Sequence, residues 1–107
     1  MNGHVKRVDH LGIAVRDPRA RLELWANTLG LDLERVEAVE SEGVRTWLLG
    51  AGNTHVELLE PLGEDSPIAK ALDKRGEGIH HLCLEVDDID RVLARLAQVG
   101  IEPVGEA

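Results

Sequence analysis

Asp9-His10-Leu11-Gly12-Ile13-Ala14-Val15 and, 71 positions further on, His80-His81-Leu82-Cys83-Leu84-Glu85-Val86 are two versions of one strand, each with a histidine near its head. The copies continue in step. Asp17-Pro18 opens a helical pattern that stops at Gly30, Asp87-Asp88 opens another that stops at Gly100, and Leu31 and Ile101 each restart an extended segment. Self-similarity on this scale marks a structural unit written twice, and it governs the reading of everything between the copies.

Within the first strand, Leu11, Ile13 and Val15 alternate with His10, Gly12 and Ala14, so the histidine lies opposite the apolar stripe. Asp17 is placed to cap a helix with Pro18 at its first position, and Leu22, Trp25 and Leu29 mark that helix's apolar face. Residues 31 to 39 read as extended, residues 40 to 43 as a polar turn, and residues 44 to 50 and 54 to 60 as a hairpin across Ala51-Gly52-Asn53. The first unit, residues 1 to 60, is therefore βαβββ. Residues 61 to 78 form a linker with a short helix starting at Ser66-Pro67, where Ile68, Ala69 and Leu72 make an apolar side. Residues 79 to 107 begin the second unit: a strand with Leu82, Leu84 and Val86 on its core face, then a helix with Ile89, Val92, Leu93 and Leu96 at helical spacing. No counterparts to strands 44 to 50 and 54 to 60 follow before Ala107, so the second unit is half-written. The expectation is that the polypeptide continues past Ala107 or that a second chain completes the sheet edge.

Composition narrows the function. The 107 residues, 43% hydrophobic and 30% charged, describe one globular domain with a single modest core. A net charge of −8 gives no electrostatic basis for holding nucleic acid or an anionic membrane. With no Phe or Tyr, and Trp25 and Trp47 as the two aromatics, there are few platforms for stacking a base or a flat drug. Cys83 is the one cysteine, so no internal disulfide can form. The absence of a long apolar run or an apolar leader in residues 1 to 8 leads us to expect a soluble cytoplasmic protein.

The candidate chemistry lies on the face opposite the apolar stripes. His10 and His81 stand at equivalent points of the duplicated strand, and each is followed on its face by a small residue, Gly12 or Cys83. In Thr54-His55-Val56-Glu57-Leu58-Leu59-Glu60 the core-facing parity belongs to Val56 and Leu58, leaving His55, Glu57 and Leu59 on the opposite side. Glu57 alone reads as a solvated carboxylate, paired with Arg45 or a neighbouring strand. Converging with two imidazoles, it completes a three-ligand set suited to Co²⁺, Mn²⁺, Ni²⁺, Zn²⁺ or Fe²⁺ with positions open to substrate. His55 competes for the same role, His80 has core-face parity and is the weaker candidate, and Cys83 reads as a small buried hydrophobe.

With DHLGIAV and GIHHLCLEVDDID heading its two units, the chain resembles the vicinal oxygen chelate superfamily, which includes glyoxalases and extradiol dioxygenases. Its GNTHVELLEPLGEDSPIAKAL segment is most similar to that of the methylmalonyl-CoA epimerases. The resemblance implies an α+β fold of paired βαβββ units around a metal-lined cleft, with the family's metal ligands falling on His10, Glu57 and His81. It implies an isomerase that inverts the carbon between a thioester and a carboxylate by proton abstraction through a metal-chelated enolate. It further implies a divalent ion, Co²⁺ foremost with Mn²⁺, Ni²⁺ or Zn²⁺ as alternatives, an acyl-CoA substrate and a homodimer. Two departures accompany it. Thr46 stands where some epimerases carry a glutamate base, and the family's fourth ligand, a glutamate on the last strand of the second unit, has no counterpart here, so no catalytic base is assigned. For the coenzyme A phosphates the cationic candidates are Arg7, Arg45, Lys70, Lys74 and Arg75. The alternatives are a lactoylglutathione lyase of the glyoxalase I type and a non-catalytic metal- or ligand-binding module or truncated remnant.

Overall fold

A computed structural model describes residues 4 to 102 as a mixed α+β structure. In chain order the elements are β1 (Val5–Ala14), α1 (Pro18–Leu22), β2 (Asp32–Val39), β3 (Val44–Ala51), β4 (Thr54–Pro61), α2 (Pro67–Arg75), β5 (Gly78–Val86) and α3 (Ile89–Gln98). The strands form one five-stranded sheet in the order β2-β3-β4-β1-β5. By compactness the chain divides into residues 9 to 83 and a smaller part made of residues 4 to 8 with 84 to 102.

Residues 9 to 83 hold both apolar cores, one on each side of the sheet. The first strand and the β3–β4 hairpin share Val15, Trp47, Leu49, Val56 and Leu58 on one face, against which Ile13, Leu22 and Trp25 pack. Period two delivers these side chains to one side, and α1 closes over them. Asp17 caps α1 by accepting from the backbone N–H groups of Arg19 and Ala20 at 3.1 and 3.3 Å, and the Arg19 guanidinium lies 5.7 Å from the centre of the Trp47 ring.

The expected helix to Gly30 is α-helical only through Leu22. From Glu23 to Thr28 it widens to π geometry, with the Leu29 N–H bonding the Leu24 carbonyl at 2.9 Å and the Thr28 hydroxyl donating to the Glu23 carbonyl at 3.1 Å. The wider winding keeps Leu22 and Trp25 on the core and carries Leu29 off it, where it is 55% exposed instead of lining the apolar face.

On the opposite face Ala14, Val44, Leu59, Ile68 and Leu72 form the second core. Ser66 starts α2 by accepting from the Ile68 N–H at 3.1 Å, and the helix lays Ile68 and Leu72 over one end of this face. Glu77, just beyond α2, accepts from the Arg16 N–H at 2.7 Å and from Arg21 Nη2 at 2.6 Å. It thereby ties the exit of α2 to the start of α1.

In the smaller part, Asp88 caps α3 through the Arg91 N–H at 3.2 Å, and Glu85 pairs with Arg7 at 2.9 Å. Two expectations change along β5 and α3. Leu82 and Leu84, read as core-facing, are 53% and 44% exposed, and no residue of α3 is buried although its helical periodicity is intact. Periodicity selects which side chains share a face and leaves open whether anything packs on it. The extended segment expected from Ile101 lies mostly outside the described residues. No helix among the described residues is long and apolar enough to cross a membrane.

Candidate metal centre

Parallel pairing of β1 with β4 sets His10 beside His55 and Gly12 beside Glu57. The face left uncovered next to α2 therefore carries His10, Gly12, His55 and Glu57. Of the two candidate β4 ligands, His55 is taken by β2: its Nε2 meets Glu34 Oε1 at 3.2 Å. Gly50 lies between them on β3 and pairs with His55. A side chain at position 50 would collide with the Glu34 carboxylate, so glycine there lets the pair close across three strands. Arg45, the expected partner for Glu57, instead binds Glu60 at 3.1 Å, and Glu60 also accepts from Trp47 Nε1 at 3.2 Å.

Glu57 is thus left to His10 and His81. One ligand atom from each of His10, Glu57 and His81 lies within 4.8 Å of the other two. His10 Nε2 is 3.1 Å from His81 Nε2 and 3.8 Å from Glu57 Oε1. Adjacent ligand atoms held at about 2.0–2.1 Å from one first-row ion are roughly 3.0–3.4 Å apart, so these separations approach those of a ligand shell. His10 and Glu57 have 19% and 17% of their side chains exposed, which keeps the centre largely out of water.

The partners on the far side of each ring decide which nitrogen faces the centre. His10 Nδ1 is 2.8 Å from Asp9 Oδ2, and His81 Nδ1 is 3.1 Å from His80 Nδ1. When each Nδ1–H is donated outward, the two Nε2 lone pairs face one another at 3.1 Å beside a carboxylate, an arrangement that a cation relieves. The two rings stand edge to face with their centres 5.2 Å apart. Burial, reinforced by the neighbouring His10 and His80, holds His81 below the ordinary histidine range against the opposing pull of Glu57. A neutral imidazole is the form that ligates. The residues therefore fit a divalent ion in donor type and spacing.

Gly12 allows this geometry. A β-carbon there would lie 2.7 Å from both ring nitrogens of His81 and closer still to Cε1, inside the ring's own space. His81 rests on the bare backbone of β1, and Gly12, the next residue after His10 on that face, admits it. Asp9 and His80 were not singled out as supports for the histidines from the sequence. Asp9 stands next to His10 in the quoted motif, the one local signal that could have revealed its role. His80 depends on how β5 presents two consecutive rings.

A cleft of about 530 Å³ opens beside the centre, with Glu57, His81, His80, Thr46 and Ile68 in its lining. The Thr46 hydroxyl donates to the Glu37 carbonyl at 3.3 Å. A second groove of about 400 Å³ shares Pro67 and His80 with that cleft and carries Lys70, Lys74 and Arg75. Among the described residues no carboxylate lines it. The larger depression near residues 40 to 43 and 62 to 67 is lined by Glu40, Glu42, Glu64 and Asp65, and repels anions.

The five-stranded sheet of this mixed α+β fold brings two histidines and a carboxylate together, and over residues 9 to 107 the chain matches the model of the Glyoxalase/Bleomycin resistance protein/Dioxygenase superfamily. The chain belongs to that superfamily. It is 40% identical over 102 residues to the ethylmalonyl-CoA/methylmalonyl-CoA epimerase of Cereibacter sphaeroides, covering 94% of this chain and 76% of that one. The human mitochondrial methylmalonyl-CoA epimerase is 38% identical over 101 residues, and there the match spans 94% of this chain but 57% of the relative. Among solved structures, a Streptomyces coelicolor methylmalonyl-CoA epimerase variant in complex with 2-nitronate-propionyl-CoA superposes with a TM-score of 0.83 at 33% identity, over 96% of this chain and 78% of that one.

Proposed function

We propose that the chain acts as a metal-dependent isomerase that epimerises methylmalonyl-CoA, with His10, Glu57 and His81 as metal ligands. The observation that carries this reading is the convergence of these three side chains next to a cleft that runs into a cationic groove. Relatives named methylmalonyl-CoA epimerase support the substrate class. When bound, a divalent ion such as Co²⁺ supplies Lewis acidity towards the thioester and carboxylate oxygens of the malonyl head.

The chain's own residues do the rest. Asp9 and His80 orient the two imidazoles, and Gly12 leaves room for the second. Leu59, Ile68 and Val44 form an apolar wall in the cleft. Thr46 is a neutral part of the cleft lining, and of the two carboxylates there Glu57 is committed to the ion, which leaves Glu42 as the candidate for proton transfer. Five cations were candidates for the coenzyme A phosphates. Arg7 and Arg45 are held by Glu85 and Glu60, whereas Lys70, Lys74 and Arg75 share one groove leading to His80. We assign the phosphates to that groove.

The test is deuterium incorporation at C2 of methylmalonyl-CoA in D₂O. Metal-loaded protein incorporates the label and His81→Ala does not. No incorporation by correctly metallated, folded protein overturns the reading.

A further inference from the structure

Cys83 has metal-binding chemistry that the epimerase reading leaves unused. It lies two residues beyond His81 in β5 and so shares that histidine's side of the strand. It is not the buried apolar filler expected from its sequence context. It is only partly buried, and its sulfur, a carboxylate oxygen of Asp9 and a ring nitrogen of His10 all lie within 4.8 Å of one another. His10 thus belongs to two donor sets: its Nε2 faces His81 and Glu57, while its Nδ1 faces Asp9.

We propose that Asp9, His10 and Cys83 form a second, overlapping site for a thiophilic divalent ion, of the zinc or cadmium kind, which competes with the His10, Glu57 and His81 set for the shared histidine. The two sets differ in softness. The first offers nitrogen and oxygen and accepts ions such as Co²⁺ or Mn²⁺, while the second adds a thiolate, which soft ions prefer. They also differ in charge: a thiolate and a carboxylate together neutralise a divalent ion, where Glu57 alone leaves it half-neutralised. Binding at the second set forms a metal–sulfur bond and releases the thiol proton to water, with no change of oxidation state. A neutral imidazole has one available lone pair, so His10 serves one ion at a time. An ion held by Cys83 therefore takes a ligand from the first set, and exposure to thiophilic metal empties that site. The inference rests on this donor geometry and stands whether or not the chain is an epimerase.

The experiment is a cadmium chloride titration of the metal-free protein followed by ultraviolet absorption. Expected is a thiolate-to-cadmium charge-transfer band that saturates at one ion per chain, is absent in Cys83→Ser, persists in Glu57→Gln, and needs on the order of tenfold or more cadmium in His10→Ala. With cobalt-loaded protein, the same band grows in step with loss of the cobalt visible spectrum. If Cys83→Ser does not fold, protection of the unsubstituted protein's thiol from iodoacetamide by cadmium gives the same answer. Absence of the band and of protection overturns the site. A band with the same midpoint in His10→Ala, or one that grows while the cobalt spectrum is retained, overturns the sharing of His10.

Discussion

At the scale of single residues, the proposed centre depends on one missing side chain as much as on its three candidate ligands. Gly12→Ala places a methyl group inside the space of the His81 ring. We expect cobalt affinity, measured by calorimetry, to fall by about 10–100-fold, as when the support of a ligating histidine is lost, with the folded circular dichroism spectrum retained. Affinity within twofold of the unsubstituted protein removes Gly12 from the account. Protonation gives a second expectation. His81 has a lowered pKa, so the unfolded chain binds the proton more readily than the native one. The sign follows: below the ordinary value of about 6.5 the unfolded state gains protons the native state resists, and stability falls as pH falls. Urea midpoints of metal-free protein should drop between pH 7.5 and 5.5, and His81→Gln should flatten that drop. The convergence of His10, Glu57 and His81 was foreshadowed in the sequence, because strand parity is local and the duplicated motif places His10 and His81 at equivalent points. The support of His10 by Asp9 and of His81 by His80 was not legible, because ring orientation is settled by what stands across the strand.

At the scale of elements, two short connections hold the helices in place around the site. Ser66 is 5% exposed and caps α2. Ser66→Ala should cost about 1 kcal/mol in a denaturant titration, the usual loss for a vacated cap. Because α2 also carries Lys70 and Lys74 into the cationic groove, the same variant should raise KM more than it lowers kcat. Glu77 binds the Arg16 N–H and the Arg21 guanidinium. The Arg16 N–H above all, with Arg21 adding to it, holds its carboxyl below the ordinary value of 4.5 in spite of burial. Its contribution is present above that value and is lost as pH falls through the lowered folded pKa. Glu77→Gln should therefore destabilise by about 1 kcal/mol at pH 7, discounted for solvent screening, and by progressively less as the pH falls below the ordinary carboxylate value. A loss that does not change with pH would count against the charge as the cause. The caps and the hairpin were legible from Asp17-Pro18, Ser66-Pro67 and Gly52-Asn53, since capping and turn chemistry are local. The π winding after Leu22 was not, since Leu22, Trp25 and Leu29 have the same spacing in an α-helix, and only packing on the β-sheet rejects the last.

At the scale of the whole molecule, a chain with net charge −8 must gather cations locally to hold an anionic coenzyme. Lys70→Ala with Lys74→Ala should raise KM for methylmalonyl-CoA at least severalfold with kcat little changed, and should blunt the rise of KM with salt. An unchanged KM places the phosphates elsewhere. The sheet that presents both grooves rests on a small core, and Leu58, with none of its surface exposed, sits at its middle. Leu58→Ala should cost about 2–5 kcal/mol, a large part of the stability of a domain this size. The sequence by itself determined the order of the strands and helices, the face that β1, β3 and β4 turn to their core, and the residue types available for a metal. Those follow from alternation, helical period and capping, which operate between near neighbours. Only the tertiary structure decided that His55 goes to Glu34 while Glu57 goes to His10, that Cys83 falls in with Asp9 and His10, and that Lys70, Lys74 and Arg75 share a groove. Those depend on the register between strands distant in the chain and on where α2 lies against the sheet, which no local spacing encodes.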